Sequence, residues 1–315
     1  MRNWKREIPP LSILLRVFLT SLTFYGGVDE IGGNKILLED NDTRIMLDFG
    51  MSFGQSSKYF SEFLQARKCN CLEDFITVGL LPKLNGVYWE DYIKHAGWPK
   101  EDRQLDAVLT SHAHADHASF IHHLRQDIPI YLSPESKVIL ETLEETGSGS
   151  FKDYCNYSCS FQYKEKKKGD GYSRMQGDEI KTPRDLKVFK YGQPFKVGSL
   201  EIIPYEVDHS LPGASSFIIR TSQGSILYTG DYRFHGYKGD ATKWMVEAAQ
   251  TEGIEAVITE GTRVNEQKGN TENDVFDRVC ARSFRDFPIK WAEGVLLYPP
   301  RVIHIKKVRI LTFWT

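Results

Sequence analysis

Three histidines and an aspartate fall within the six residues 112–117, His-Ala-His-Ala-Asp-His, in a chain of 315 residues that has nine histidines. A solvated loop has no use for that density and an apolar core resists it, so either a cation is its focus or the cluster is accidental. His112 and His114 are two apart, and in an extended segment both rings point to the same side. Asp116 and His117 follow where the chain turns into a helix, and can face a second point nearby. Imidazole and carboxylate together suit Zn2+ or a similar divalent ion. One short loop cannot close two coordination spheres, so further ligands must come from elsewhere in the chain.

The elements that would position such a loop can be read around it. "LDAVLTS" from Leu105 is a short apolar strand that delivers the motif at its C-terminal end. "RIMLDFG" ends a strand on Asp48, "EVDHSLPGA" places His209 after an apolar strand, and "ILYTGDYRFHG" places Asp231 after a glycine. "EAVITEGT" ends another strand near Glu260. Layered α/β proteins put their sites at strand C-termini, so five such ends make a constellation rather than scatter. His122 and His123, on the helical segment after the motif, read as packing or surface residues. His235 reads as either a supporting neighbour of the site or a turn cap.

Other strands are expected at "LTFYGG", "NKILLE", "IPIYLS", "LKVFK" and "SSFIIRT". Helices are expected at "SSKYFSEFLQAR", "ASFIHHLRQD", "SPESKVILETLEET", "ATKWMVEAAQTEG" (closed by Gly253) and "TENDVFDRVCARSF". "FITVGLLPKLNG" suits a loop, and order weakens between 147 and 184. There Lys164–Lys168 read as a solvated loop, the alternative being a phosphate-contacting patch. Strands followed by helices place the chain in the layered α/β class.

With 41% hydrophobic and 26% charged residues, a sizeable core is possible. A net charge of −2 gives no global attraction to nucleic acid, so any such binding must be local. Five cysteines without a repeated pattern argue against a disulfide framework and for a reducing compartment. Cys155 and Cys159 could form half a metal site, but no matching pair exists and free thiols are favoured. The basic start and the apolar run after it superficially resemble a signal peptide. Arg16 interrupts that run, which lacks a cleavage site and is too short to span a bilayer. The expectation is an irregular leader over 1–20, in a cytoplasmic protein with no membrane association.

The unbroken H-x-H-x-D-H of His112, His114, Asp116 and His117, with His209 and Asp231 following in order, resembles the metallo-β-lactamase superfamily. "DHSLPGA", "YTGDYRFHG" and "TEGTR" look like its β-CASP branch, which contains the RNase J-type ribonucleases and the pre-mRNA 3′-end processing endonuclease. The resemblance runs from about Phe24 to Arg263. It implies a four-layer αββα sandwich over 21–262, with His112, His114 and His209 holding one zinc. Asp116 and His117 would hold a second, Asp231 would bridge both, and Asp48 would orient the ligand loop. Asp116, Asp48 and Glu260 are the residues expected to serve catalysis, Glu260 matching an acidic motif of the branch. The implied chemistry is cleavage of phosphodiester bonds, with RNA the expected substrate, by a metal-bridged hydroxide.

After Glu260 the branch continues into an inserted cap and two further histidine motifs. Residues 263–315 resemble only the start of that cap, and His304 matches neither motif. The expectation is an incomplete sandwich with an exposed edge, open to aggregation or a partner, and a second metal short of a ligand. Poor activity of the chain would follow. Two other functions stay open: a hydrolase of the same fold acting on DNA or a small ester or thioester, and an inactive homologue that binds RNA or a partner chain. A homo-oligomer is compatible with either.

Overall fold

The computed structural model describes residues 20–60, 64, 71–147, 154–181 and 183–261, and three short strands between 290 and 304. The first sheet starts as an antiparallel meander of β1 (Ser21–Gly26), β2 (Lys35–Asp40) and β3 (Thr43–Leu47). Three short helices follow: α1 (Phe53–Tyr59), α2 (Cys71–Thr77) and α3 (Glu90–His95). Only α1 matches a helix expected from sequence. The first residues of the stretch expected to be a loop, Phe75–Thr77, belong to α2. Helices this short are marginal by propensity; tertiary packing of Leu72 and Phe75 holds α2, and that of Tyr92 and Ile93 holds α3.

β4 (Ala107–Leu109) pairs in parallel with β3 and leads through the histidine loop into α4 (Ala115–Ala118) and a 3-10 turn (Ser119–His123). β5 (Ile130–Leu132) pairs in parallel with β4 and is followed by α5 (Pro134–Thr146). Ser133 caps that helix by accepting the Ser136 N–H at 3.1 Å, with Pro134 in the first turn, where its missing N–H costs nothing.

The region expected to lack order instead contains a ribbon, β6 (Tyr157–Glu165) and β7 (Tyr172–Lys181), paired with each other and with no other strand among the described residues. Along β6 Tyr157, Cys159, Phe161 and Tyr163 alternate with polar residues, whereas β7 is mostly charged and polar; the two strands share one antiparallel ladder. Lys164–Lys168 lie exposed at its tip, where the Lys166 N–H reaches the Gly171 carbonyl at 3.0 Å. β8 (Leu186–Val188) then completes the six-stranded sheet, in the order β1-β2-β3-β4-β5-β8.

The second sheet has five strands. β9 (Phe195–Val197), β10 (Leu200–Glu206), β11 (Ser215–Thr221) and β12 (Gly224–Tyr228) are antiparallel neighbours. α6 (Gly239–Glu252) ends at Gly253, whose φ of +74° supplies the left-handed cap. It crosses over to β13 (Ile254–Ile258), which pairs in parallel with β12. β14 (Lys290–Ala292), β15 (Val295–Tyr298) and β16 (Arg301–His304) form a separate antiparallel sheet. Both the leader over 1–19 and the helix expected at 271–284 fall outside the described residues.

Side-chain alternation explains the layering. Ile36, Leu38, Ile45 and Leu47 of the first sheet face Ile202, Phe217, Ile219 and Ile226 of the second, closing the apolar layer between the sheets. Leu37, Met46 and Val108 point the other way, onto the helices beside the first sheet. Ile203, Ile218 and Leu227 point away from the second sheet onto Met245 of α6. Each fully buried Leu, Ile or Phe contributes about 1.5–3 kcal/mol, and burial on both faces accounts for the near-continuous apolar runs of these strands. The result is the expected four-layer αββα sandwich.

Candidate metal centre

Asp48 follows β3, His112 follows β4, His209 follows β10 and Asp231 follows β12. The histidine loop is sewn to the segment after β3. The Phe49 N–H donates to the His117 carbonyl at 2.8 Å, Met51 to Ala115 at 3.0 Å, and Asn34 to Asp116 at 3.2 Å. Gly50 permits this contact, since a Cβ there would lie 1.7 Å from the Asp116 carbonyl oxygen.

Asp48 is fully buried and takes a φ of +57°, unusual for a residue with a side chain. Its carboxylate accepts the Ser111 N–H at 2.6 Å and the hydroxyls of Ser111 at 2.7 Å and Tyr228 at 2.5 Å. The fourth donor is His117 Nδ1, at 2.7 Å. That bond places the His117 proton on Nδ1 and leaves Nε2 facing the cluster. Ser111 Oγ, 3.0 Å from His112 Nδ1, does the same for His112.

His112 Nε2 lies 2.9 Å from His114 Nδ1, which lies 3.2 Å from His209 Nε2. The edge of a tetrahedron built on ~2.05 Å metal–nitrogen bonds is about 3.3 Å, so three imidazole nitrogens at these spacings can share one ion. A second group of His112, His117 and Asp231 shares His112 with the first. Asp231 lies between them, with Oδ1 3.2 Å from His117 Nε2 and Oδ2 3.6 Å from His209 Nε2. Asp116 Oδ2 stands 3.7 Å from His117 Nε2. Converging nitrogen lone pairs with carboxylates between them fit a divalent metal, with candidate ligand groups at His112, His114 and His209 and at His112, His117 and Asp231.

Electrostatics follow the same division. Burial, helped by the neighbouring imidazoles, pushes His112 well below its ordinary pKa, and burial lowers His114. His209 is pushed down to about 4, chiefly by burial. These three rings are therefore neutral near pH 7 and could serve as ligands. For His117 burial again acts downward, but the Asp48 and Asp231 carboxylates outweigh it and raise the group to about 10. Burial raises the Asp116 carboxyl. Burial would raise Asp231 too, but the His117 hydrogen bond and the other imidazoles hold it below the usual carboxylate range.

A cleft of about 860 Å³ opens over the His117 side, lined by Asp116, His117, Asp231, Ile31 and Glu260. Glu260 thus stands on the cleft wall rather than among the clustered nitrogens. His235 is exposed and outside the cluster, and His122 and His123 are buried elsewhere. Sequence reasoning missed Asn34, whose side chain touches His117, and Ser111 and Tyr228, which hold Asp48. It also missed the Asp208–Arg233 ion pair at 3.1 Å, which ties the segment carrying His209 to the loop carrying Asp231. Adjacency to the ligands was the available signal for Ser111 and Asp208. Asn34 and Tyr228 reach the site only through pairing of distant strands.

The profile of the Beta-lactamase superfamily domain matches residues 90–280. Ribonuclease J of Pyrococcus abyssi is 24% identical over 279 residues, covering 86% of this chain and 51% of its own length. Ribonuclease J 2 of Staphylococcus epidermidis is 21% identical over 289 residues, covering 90% of this chain and 41% of its own. The crystal structure of a protein of unknown function from Enterococcus faecalis superposes with a TM-score of 0.62 at 27% identity, over 84% of this chain and 57% of that one. The chain spans about half or less of the length of these curated relatives. Sandwich, strand-end cluster and matched profile agree: the chain belongs to the metallo-β-lactamase superfamily.

Proposed function

We propose that this chain carries the catalytic domain, over 21–262, of a two-metal phosphodiesterase acting on RNA, with 263–315 beginning a cap domain. The observation that carries the reading is the pair of ligand groups sharing His112, with Asp231 reaching both sides. Zinc ions bound there would lower the pKa of water and neutralise charge building on the phosphoryl oxygens.

His112, His114 and His209 present neutral nitrogens, so they take a cation at neutral pH without first losing a proton. Asp48 fixes the His117 ring by holding the proton at Nδ1. Asp116 adds a carboxylate on the cleft side, and Glu260 is placed on the wall to meet the substrate or its leaving group. RNA as substrate rests on the likeness to the ribonucleases J.

Metal analysis and a cleavage assay test this together. The expected result is about two zinc equivalents per chain and cleavage of labelled single-stranded RNA in preference to DNA, lost in Asp116→Ala. Failure to bind metal would sink every hydrolase reading. Binding of RNA without cleavage would favour the inactive-homologue reading, and cleavage of DNA or a small ester alone would move the substrate.

A further inference from the structure

The β6–β7 ribbon takes no part in the centre: none of its residues lines the cleft, and among the described residues its strands pair only with each other. β8 runs parallel to β5 and β4, so the ribbon enters β8 at the end of the sheet opposite the histidine loop. Its root is firmly built. The buried Glu144 carboxylate of α5 accepts the Cys155 N–H at 2.9 Å and the Asn156 N–H at 2.8 Å. On the other leg the Arg184 N–H donates to the Cys155 carbonyl at 2.8 Å, and the Arg184 guanidinium donates to the Leu124 carbonyl at 3.0 Å. Strands of nine and ten residues, at ~3.4 Å per residue, make an arm about 30 Å long.

Two features of the arm point to the same partner. At the tip Lys164, Lys166, Lys167 and Lys168 are all exposed, and only Glu165 and Asp170 oppose them between 164 and 171. The tip is thus positive in a chain whose net charge is −2, which is the local patch that such a chain needs to hold a polyanion. Along the strands, the register sets Tyr163 opposite Arg174 and Glu165 opposite Tyr172. Alternation therefore places Phe161, Tyr163, Tyr172 and Arg174 at positions of one face. Lysines alone would serve any polyanion. Aromatic and arginine positions beside them suit a single nucleic-acid strand, whose unpaired bases have faces to stack, where an acidic protein surface has none.

We infer that the β6–β7 ribbon is an arm that grips single-stranded RNA outside the metal cleft, its lysine tip on the phosphates and its Phe161, Tyr163, Tyr172 and Arg174 face on unpaired bases. This rests on the RNA reading above. Binding of a labelled oligouridine phosphorothioate, which resists cleavage, to the 315-residue chain tests it by fluorescence anisotropy across a salt series. Alanine at all four lysines should weaken binding about tenfold or more at low salt and reduce the salt slope by about 0.7 per lysine engaged. Arginine at the same four positions should restore both. Tyr163→Ala should weaken binding about fivefold or more with the slope unchanged, while Tyr163→Phe, which keeps the ring, should bind as the wild type does.

Wild-type affinity and slope in the alanine variant would overturn the arm, and cleavage of RNA by the wild type would leave the substrate reading standing. Absence of both binding and cleavage in the wild type would overturn both. Equal affinity for heparin, with Tyr163→Ala silent, would make the tip a general polyanion contact and overturn the single-strand assignment. Failure of the arginine variant to restore binding would overturn the phosphate role of the lysines.

Discussion

His117 and His123 are six residues apart, both almost fully buried, yet their surroundings make them opposite kinds of histidine. His123 packs between the rings of Phe75, Tyr92 and Phe120, with centroids 5.2–5.4 Å away, and against His122 at 3.9 Å. His122 Nδ1 donates to the Ser119 carbonyl at 2.6 Å, and the Arg184 guanidinium donates to the His122 carbonyl at 3.3 Å. Burial drives His122 down to about 3 and His123 well below its ordinary value. Around His117 two carboxylates overturn that same burial and raise it to about 10. Density of histidine therefore says little about function. What decides is which atoms face the ring nitrogens.

The sharpest way to break this comparison is to remove one histidine from each region. His112→Ala should lower metal-dependent hydrolysis by about a thousandfold or more, the several kcal/mol that a metal supplies to charge stabilisation. His123→Phe should leave metal content and rate unchanged and shift stability by less than about 1.5 kcal/mol. Equal losses of rate in the two variants would erase the distinction.

Asp48→Asn comes next. It removes the charge that orients His117 but touches no ligand nitrogen of the three-histidine group. Metal affinity on the His117 side should fall about 10–100-fold, measured by competition with a chelating dye. An unchanged affinity would mean that Asp48 supports the fold alone.

The titration signs differ as well. His122 has a depressed value in the folded state, so between about 3 and 6.5 the unfolded chain binds more protons. Its contribution to stability is complete above 6.5 and is lost as pH falls toward 3. His117 is raised, so its contribution is complete below 6.5 and lost as pH rises through about 10. In the metal-free protein, His122→Phe should flatten the acid limb of urea-measured stability by about 1.4 kcal/mol per pH unit at its steepest. Asp48→Asn should flatten the alkaline limb instead. A variant that altered the wrong limb would overturn the assignment.

The smallest effect belongs to the ribbon tip. Replacing Lys164, Lys166, Lys167 and Lys168 with alanine should leave metal content intact. If these lysines meet the RNA backbone, the salt dependence of single-strand binding should drop by about 0.7 log units per log unit of salt for each lysine engaged. An unchanged slope would return the tip to a solvated turn.

The H-x-H-x-D-H run, the strand-end positions of Asp48, His209, Asp231 and Glu260, and the helices capped by Ser133 and Gly253 could all be read along the chain. Each depends on neighbours a few residues away: alternation sets a strand, a cap sets a helix end, and ligand spacing sets a loop. The helices α2 and α3 could not be read this way, because tertiary packing of Leu72, Phe75, Tyr92 and Ile93 stabilises them more than propensity does. Nor could the β6–β7 ribbon: β6 alternates apolar and polar residues, but β7 is mostly polar, and the pairing of the two strands defines the ribbon. Sequence by itself picked out the residues that could hold a metal, since that follows from side-chain type and local spacing. Only the tertiary structure decided which nitrogen of each ring faces the centre, that Tyr228 and Ser111 hold Asp48, and that Asn34 stands beside His117. Those facts arise where separate strands meet, and the order of residues along one strand carries no record of what its neighbour brings.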